Sequence, residues 1–172
     1  QYLSLMQVTD VAIEGLVSFF ENQEEPTIIV FFGDHQPTDS VVAPIWELQG
    51  KTASNLTEEE AAMRYEVPFF IWANYDIKEK TGVEISANYF SGLVMETAGI
   101  PMPAYQTYLS ALRKEIPILT SRYIMTADGY AGSYDNYEDY LEEQEQQERE
   151  KTEEILLQYQ RLQYYMLFEG EE

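Results

Sequence analysis

The chain has 172 residues, of which 45% are hydrophobic and none is cysteine, and its formal net charge at pH 7 is −21. This length and apolar fraction indicate one globular domain with one core, and the missing cysteine excludes disulfide bonds and thiolate metal sites. The negative charge argues against nucleic acid as a partner and against direct binding to an anionic membrane surface, because both would repel the chain.

The first predicted element is an amphipathic helix over residues 3–20. Apolar residues recur there at close to helical spacing without an internal proline, and Asn22 and Pro26 end the pattern. We expect its apolar face to cover one side of a sheet. No apolar run in the chain approaches the roughly 20 residues that a transmembrane helix needs, so any membrane anchor is expected outside this sequence.

A run of six apolar or β-branched residues, 27–32, predicts a strand buried on both faces of a parallel sheet. Asp34 and His35, the only histidine, follow its carboxyl end, where open α/β sheets place their ligands. A carboxylate beside an imidazole suits manganese or zinc better than calcium. Asp34 and His35 are therefore candidate metal ligands, and the alternative is a hydrogen-bonded turn.

Residues 38–55 have the polar, proline-containing character of a loop. Within them, Trp46 is expected to pack against neighbouring side chains more than to line a site, because tryptophan buries a large area wherever it lies. Thr57 and Glu60 form a capping-box pattern that predicts a short helix.

A second buried strand is predicted over residues 68–73, and Asn74 after it is expected to form a local turn. Ser86 has the character of an N-cap for a helix that runs to about Thr97 and stops at Gly99. Helices beside both predicted strands indicate an α/β fold.

The remaining elements are a short amphipathic helix over residues 105–112 and a hairpin whose turn lies at residues 127–130. Ten acidic and two basic residues then fill 135–154, which predicts a solvated helix or a partly disordered segment. Helical apolar spacing resumes after residue 154. The sequence thus predicts a main part, 1–126, and an acidic, mostly helical tail, 127–172, that docks back at its end.

Five motifs in the same order carry a resemblance to a known enzyme family. They are PTIIVFFGDHQP at 26–37, YEVPFFIWANYD at 65–76, SANY at 86–89, AGIP at 98–101 and LQYYMLFEG at 162–170. With them the chain resembles the carboxyl-terminal part of the catalytic domain of the lipoteichoic acid synthase family. Those phosphoglycerol transferases are sulfatase-like members of the alkaline phosphatase superfamily.

The resemblance implies an incomplete chain, a fragment of an α/β domain. It implies Asp34 and His35 as ligands of one divalent cation, expected to be Mn²⁺ with Zn²⁺ or Mg²⁺ as alternatives. The nucleophilic threonine and a glutamate ligand are expected upstream of this sequence. No residue of the chain matches the family's catalytic nucleophile, and no organic cofactor is implied, so the chain alone is expected to be inactive.

The implied activity is transfer of glycerol phosphate from phosphatidylglycerol to a polymer or glycolipid, such as a teichoic acid acceptor. It would take place on the extracellular face of a bacterial membrane, with anchoring by helices outside this sequence. A sulfuric or phosphoric ester hydrolase of the same fold and a non-catalytic extracellular interaction module are the alternatives. Because a sheet cut from a larger one leaves unpaired edges, the fragment is expected to self-associate.

Overall fold

A computed structural model describes residues 2–144 and 146–168. The chain divides into two compact units. The first unit comprises Gln1–Val83 and Tyr89–Thr107, and the second comprises Glu84–Asn88 and Tyr108–Glu172. The end of the LQYYMLFEG motif and the last residues of the predicted tail lie outside the described residues, and the division expected after residue 126 stays a prediction.

The described residues form a mixed α/β structure, which confirms the predicted fold class. The helices are α1 Tyr2–Glu21, α2 Asp39–Leu48, α3 Glu58–Ala62, α4 Ala87–Ala98, α5 Ala104–Glu115, α6 Tyr137–Glu143 and α7 Gln146–Phe168, with a 3-10 turn at Met63–Tyr65. The strands are β1 Ile28–Phe32, β2 Phe69–Ala73, β3 Ile118–Leu119, β4 Tyr123–Met125 and β5 Ala131–Ser133.

Strands β1 and β2 form a two-stranded sheet in the first unit, and they are the two strands predicted from apolar runs. They run antiparallel, so the expectation of parallel pairing was wrong for these described strands. Most of β1 is half-buried, and Phe32 at its end is 56% exposed. An apolar run indicates that a strand is covered, but it carries no information about the direction of the partner strand.

Aromatic packing covers the end of this sheet that precedes Asp34. Phe32 and Phe69 are paired across the strands. The Phe90 ring of α4 contacts both edge-on, with centroids 5.6 Å from Phe32 and 5.0 Å from Phe69. This contact is a helix packed against the strand pair, as the α/β prediction required.

Helix α1 matches the first predicted helix, but none of its residues is buried. Leu3 is 81% exposed and Phe19 is 62% exposed. The sheet-covering role expected for its apolar face is therefore not seen in the described residues. By length and composition alone, the helix could also cross a bilayer, which was not expected of any segment from the sequence; core helices of soluble proteins and signal sequences pass the same test.

Helix α2 occupies much of the segment that was expected to be a loop, and Pro44 lies inside it. Proline has no backbone N–H, so α2 lacks one helical hydrogen bond there. Because proline usually interrupts helices, Pro44 contributed to the prediction of a loop. The next helix was predicted correctly. Thr57 Oγ1 accepts the Glu60 N–H while the Glu60 carboxylate accepts the Thr57 N–H, the two halves of a capping box.

The second unit contains a three-stranded antiparallel sheet in the order β3-β4-β5. The predicted hairpin is its β4–β5 pair, and Gly129 in the turn has φ 113°, a conformation that favours glycine. Ile124 of β4 is fully buried. The acidic region is helical in α6 and α7, and Tyr159 of α7 is buried with its hydroxyl accepting a hydrogen bond of 3.0 Å from Asn88 Nδ2.

Tyr137 in α6 predicts a loss of stability at alkaline pH. Its side chain is buried, and desolvation, with a smaller contribution from the Asp128 charge, raises the pKa of the phenol from 10.0 to about 12. The unfolded phenol ionises near pH 10 while the folded one stays protonated. The free energy of unfolding should therefore be unaffected by Tyr137 ionisation below pH 10. It should fall by about 2 kcal/mol as the pH rises to about 12.

The measurement is urea unfolding followed by far-UV circular dichroism across this pH range. Tyr137→Phe should remove this part of the alkaline loss, because phenylalanine cannot ionise. Tyr164→Phe, at an exposed position of α7, serves as the control and should retain the loss. An identical pH profile for wild type and Tyr137→Phe would contradict the prediction.

Candidate metal centre

Asp34 and His35 lie directly after β1, with Gly33 between the strand and the carboxylate. Gly33 N–H donates to Pro68 O at 3.0 Å, and a Cβ on this glycine would lie 3.1 Å from Val67 Cβ. A larger residue here would require the Val67 side chain to move by a few tenths of an ångström. Glycine therefore lets the chain leave the sheet closely packed against the segment before β2.

The two side chains of this metal pair, Asp34 and His35, face each other. His35 Nε2 lies 3.5 Å from Asp34 Oδ2, and Asp34 Oδ1 accepts the His35 backbone N–H at 2.9 Å. The side chains are 83% and 76% exposed, respectively. The carboxylate is thus oriented by its own backbone neighbour, and its second oxygen faces the imidazole.

A backbone contact sets the chemistry of the imidazole. His35 Nδ1 lies 2.9 Å from the carbonyl oxygen of Gln36, a distance at which Nδ1–H donates a hydrogen bond. In the neutral imidazole this bond leaves the lone pair on Nε2, the nitrogen that faces Asp34. A metal-binding histidine usually has its second nitrogen occupied in this way.

The distance between the donor atoms fits chelation of one cation. Metal bonds of about 2.0–2.2 Å to nitrogen and oxygen, meeting at a tetrahedral angle, place the two donor atoms roughly 3.4 Å apart. The observed Nε2–Oδ2 distance is 3.5 Å. One nitrogen and one oxygen suit Mn²⁺ or Zn²⁺, but they are half or less of a complete ligand set.

Within the described residues, no group of three or more His, Cys, Asp or Glu side chains is placed to hold a metal ion. The same pair is also compatible with a turn in which the aspartate only accepts a backbone N–H. The role of Asp34 and His35 as ligands stays a prediction.

Two side chains that the sequence reading did not single out hold the segment after His35. Arg64 Nη2 donates to Pro37 O at 2.8 Å, and Gln36 Nε2 donates to Glu66 O. Both contacts join residues about 30 positions apart, so no local pattern could have indicated them. They tie the chain beyond the metal pair to the segment that leads into β2.

Asn74 holds the other end of β1 and was expected to form only a local turn. Its Oδ1 accepts the Thr27 N–H at 2.8 Å. Its Nδ2 lies 3.1 Å from Phe20 O and 3.0 Å from both Gln23 O and Glu25 O. One amide thereby joins the end of α1 and the start of β1 to the end of β2, a role that sequence position alone does not indicate.

The fold and this site define an α/β protein with a carboxylate–imidazole pair at a strand end. A family model described as Sulfatase matches residues 1–100, more than half of the chain. The chain belongs to the sulfatase family. This finding agrees with the superfamily implied by the five motifs.

One curated relative is a protein of Rhizobium meliloti (strain 1021) named for a proposed role in cyclic beta-1,2-glucan modification. It is 25% identical to the chain over 126 residues, which cover 72% of this chain and 20% of the relative. The chain thus spans about a fifth of that relative's length. No solved structure gives a significant match.

Proposed function

We propose that the chain is the carboxyl-terminal part of the catalytic domain of a metal-dependent phosphoglycerol transferase similar to lipoteichoic acid synthase. The enzyme would transfer glycerol phosphate from phosphatidylglycerol to a hydroxyl of a polymer or glycolipid on the outer face of a bacterial membrane. The observation that carries the proposal is the Asp34–His35 pair, with its Nε2 and Oδ2 atoms 3.5 Å apart, directly after a strand of a sulfatase-family chain.

In this proposal the metal pair supplies two ligands of one cation, Mn²⁺ with Zn²⁺ or Mg²⁺ as alternatives. When bound, such a cation lowers the pKa of a hydroxyl nucleophile and neutralises charge on phosphoryl oxygens. Asp34 presents Oδ2 while its Oδ1 stays bonded to the His35 N–H, and the Nδ1 contact keeps the imidazole oriented. The nucleophilic threonine would belong to the preceding part of the longer protein.

We propose an uncharged glycan, and not an anionic polymer, as the acceptor. The chain carries a net charge of −21, which disfavours close approach of a polyanion unless other parts of the protein are basic. The relative named for glucan modification supports the same choice, because a glucan is an uncharged polymer rich in hydroxyl groups.

Turnover measured separately for the chain and for the longer protein tests the proposal. With labelled phosphatidylglycerol and Mn²⁺, the longer protein should release diacylglycerol and label a glycan, and a chelator should abolish both. The 172-residue chain should show no turnover, because it lacks the proposed nucleophile. Turnover by the chain alone would contradict this assignment.

The family match specifically favours an ester hydrolase as the second candidate. An aryl sulfate and an aryl phosphate are therefore the control substrates for the same longer protein. Hydrolysis of either without transfer from phosphatidylglycerol would replace the transferase proposal with this alternative.

A further inference from the structure

A cleft in the first unit begins one residue from the metal pair. Its volume is about 220 Å³, and its wall includes Gln36, Trp46, Gln49, Lys51, Glu60 and Arg64. Gln36 follows His35 directly, and its carbonyl oxygen contacts His35 Nδ1. Gln36 thus belongs to the cleft wall and also contacts the imidazole of the metal pair.

The aromatic wall of the cleft is held in place. Trp46 of α2 is half-buried, and the Arg64 guanidinium lies 5.3 Å from the centroid of its ring. A cation over an aromatic face is an attractive contact that fixes the ring. A fixed indole offers a flat apolar surface, and the C–H face of a sugar ring is a flat apolar partner for it.

Both cations of the cleft already have carboxylate partners. Lys51 forms an ion pair with Glu60, and Arg64 Nη2 lies 2.8 Å from Asp39 Oδ1 while also donating to Pro37 O. A phosphate or another anion would have to compete with these carboxylates. An uncharged ligand with several hydroxyl groups can instead exchange hydrogen bonds with the Gln49 amide, and it can donate to Glu60 beside the Lys51 and Thr57 contacts of that carboxylate.

The cleft is also small. Its volume of about 220 Å³ lies below the range of about 300–1,000 Å³ that drug-sized ligands occupy, so the cleft suits a ligand of about one ring in size. We propose that the cleft binds one uncharged sugar ring of the acceptor glycan, stacked on Trp46 and placed beside Asp34 and His35. This inference rests on the proposed function and names the acceptor class of that site.

Nuclear magnetic resonance of the 172-residue chain tests the inference without metal or turnover. The chain has two tryptophans, Trp46 in the cleft wall and Trp72 in β2, so it gives two indole N–H signals. Titration with a linear, uncharged glucose oligosaccharide should shift the Trp46 signal saturably and leave the Trp72 signal in place. Trp72→Phe assigns the two signals.

Three variants locate the binding. Trp46→Ala removes the reporter signal, so its affinity is measured by isothermal titration calorimetry beside wild type, and the oligosaccharide should bind about tenfold more weakly, as loss of an aromatic stacking surface predicts. Glu60→Gln should weaken it severalfold, and glutamine still permits the capping box with Thr57, so α3 should keep its cap. Leu48→Ala is the control, because Leu48 lies on the same helix as Trp46, is 89% exposed and is not part of the cleft wall.

The inference is overturned if the oligosaccharide gives no saturable shift of the Trp46 signal in wild type. It is also overturned if glycerol phosphate or inorganic phosphate shifts that signal in place of the sugar. Because neither readout depends on catalysis, sugar binding by a protein without transferase activity would refute the proposed function alone. Transferase activity without sugar binding at Trp46 would refute the cleft alone.

Discussion

His35→Ala in the longer protein is expected to reduce metal-dependent turnover by more than about 100-fold. Even mutation of a residue that only hydrogen-bonds to a metal ligand reduces metal affinity or activity by about 10–100-fold. The variant should also lose most of its bound metal. Its melting temperature should stay within a few degrees of wild type, because the His35 side chain is 76% exposed and contributes little to packing. Metal content, turnover and melting temperature measured on one preparation check all three outcomes.

Asp34→Asn should behave like His35→Ala, because the amide keeps an oxygen for the His35 N–H but loses the charge that attracts a cation. Asp76→Asn is the matched control, an exposed aspartate in the segment after β2. Retained metal and retained turnover in His35→Ala would remove the pair from the active site. If His35 were only a turn residue, His35→Ala would instead lower stability by about 1 kcal/mol and leave turnover near normal.

Asn74→Asp is expected to destabilise the first unit by about 3 kcal/mol or more, although it changes a single side-chain nitrogen to oxygen. The substitution keeps the acceptor for Thr27 N–H, but it replaces the donating amide with an oxygen directed at the carbonyls of Phe20, Gln23 and Glu25. The hydrogen bonds that the two amide N–H groups share among these three carbonyls are thereby replaced by charge repulsion. Asn74→Ala should cost less than Asn74→Asp, since it removes the bonds without adding a charge.

Urea unfolding followed by tryptophan fluorescence measures this effect, because both tryptophans lie in the first unit. Asn55→Asp is the control: Asn55 Oδ1 accepts the Thr52 N–H at 2.6 Å in an exposed loop, and aspartate can accept that bond equally well. Its stability should stay within about 0.5 kcal/mol of wild type. Equal losses of stability in Asn74→Asp and Asn55→Asp would contradict this role of the Asn74 amide.

Sequence patterns were sufficient wherever structure depends on neighbours within a few residues. Helix α1, the β1 and β2 strands, the capping box before α3 and the β4–β5 hairpin all follow from spacing, caps and turn residues. The Asp34–His35 pair belongs to this group as well. Two adjacent residues after an apolar run remain adjacent in any fold, so a candidate site could be named from the sequence alone.

Tertiary structure decided everything that joins distant parts of the chain. The antiparallel direction of β1 and β2, the four contacts of Asn74 and the Trp46–Arg64 wall of the cleft depend on residues far apart in sequence. Propensity and periodicity act over a few residues, whereas these pairings form only when the packed chain brings their partners together.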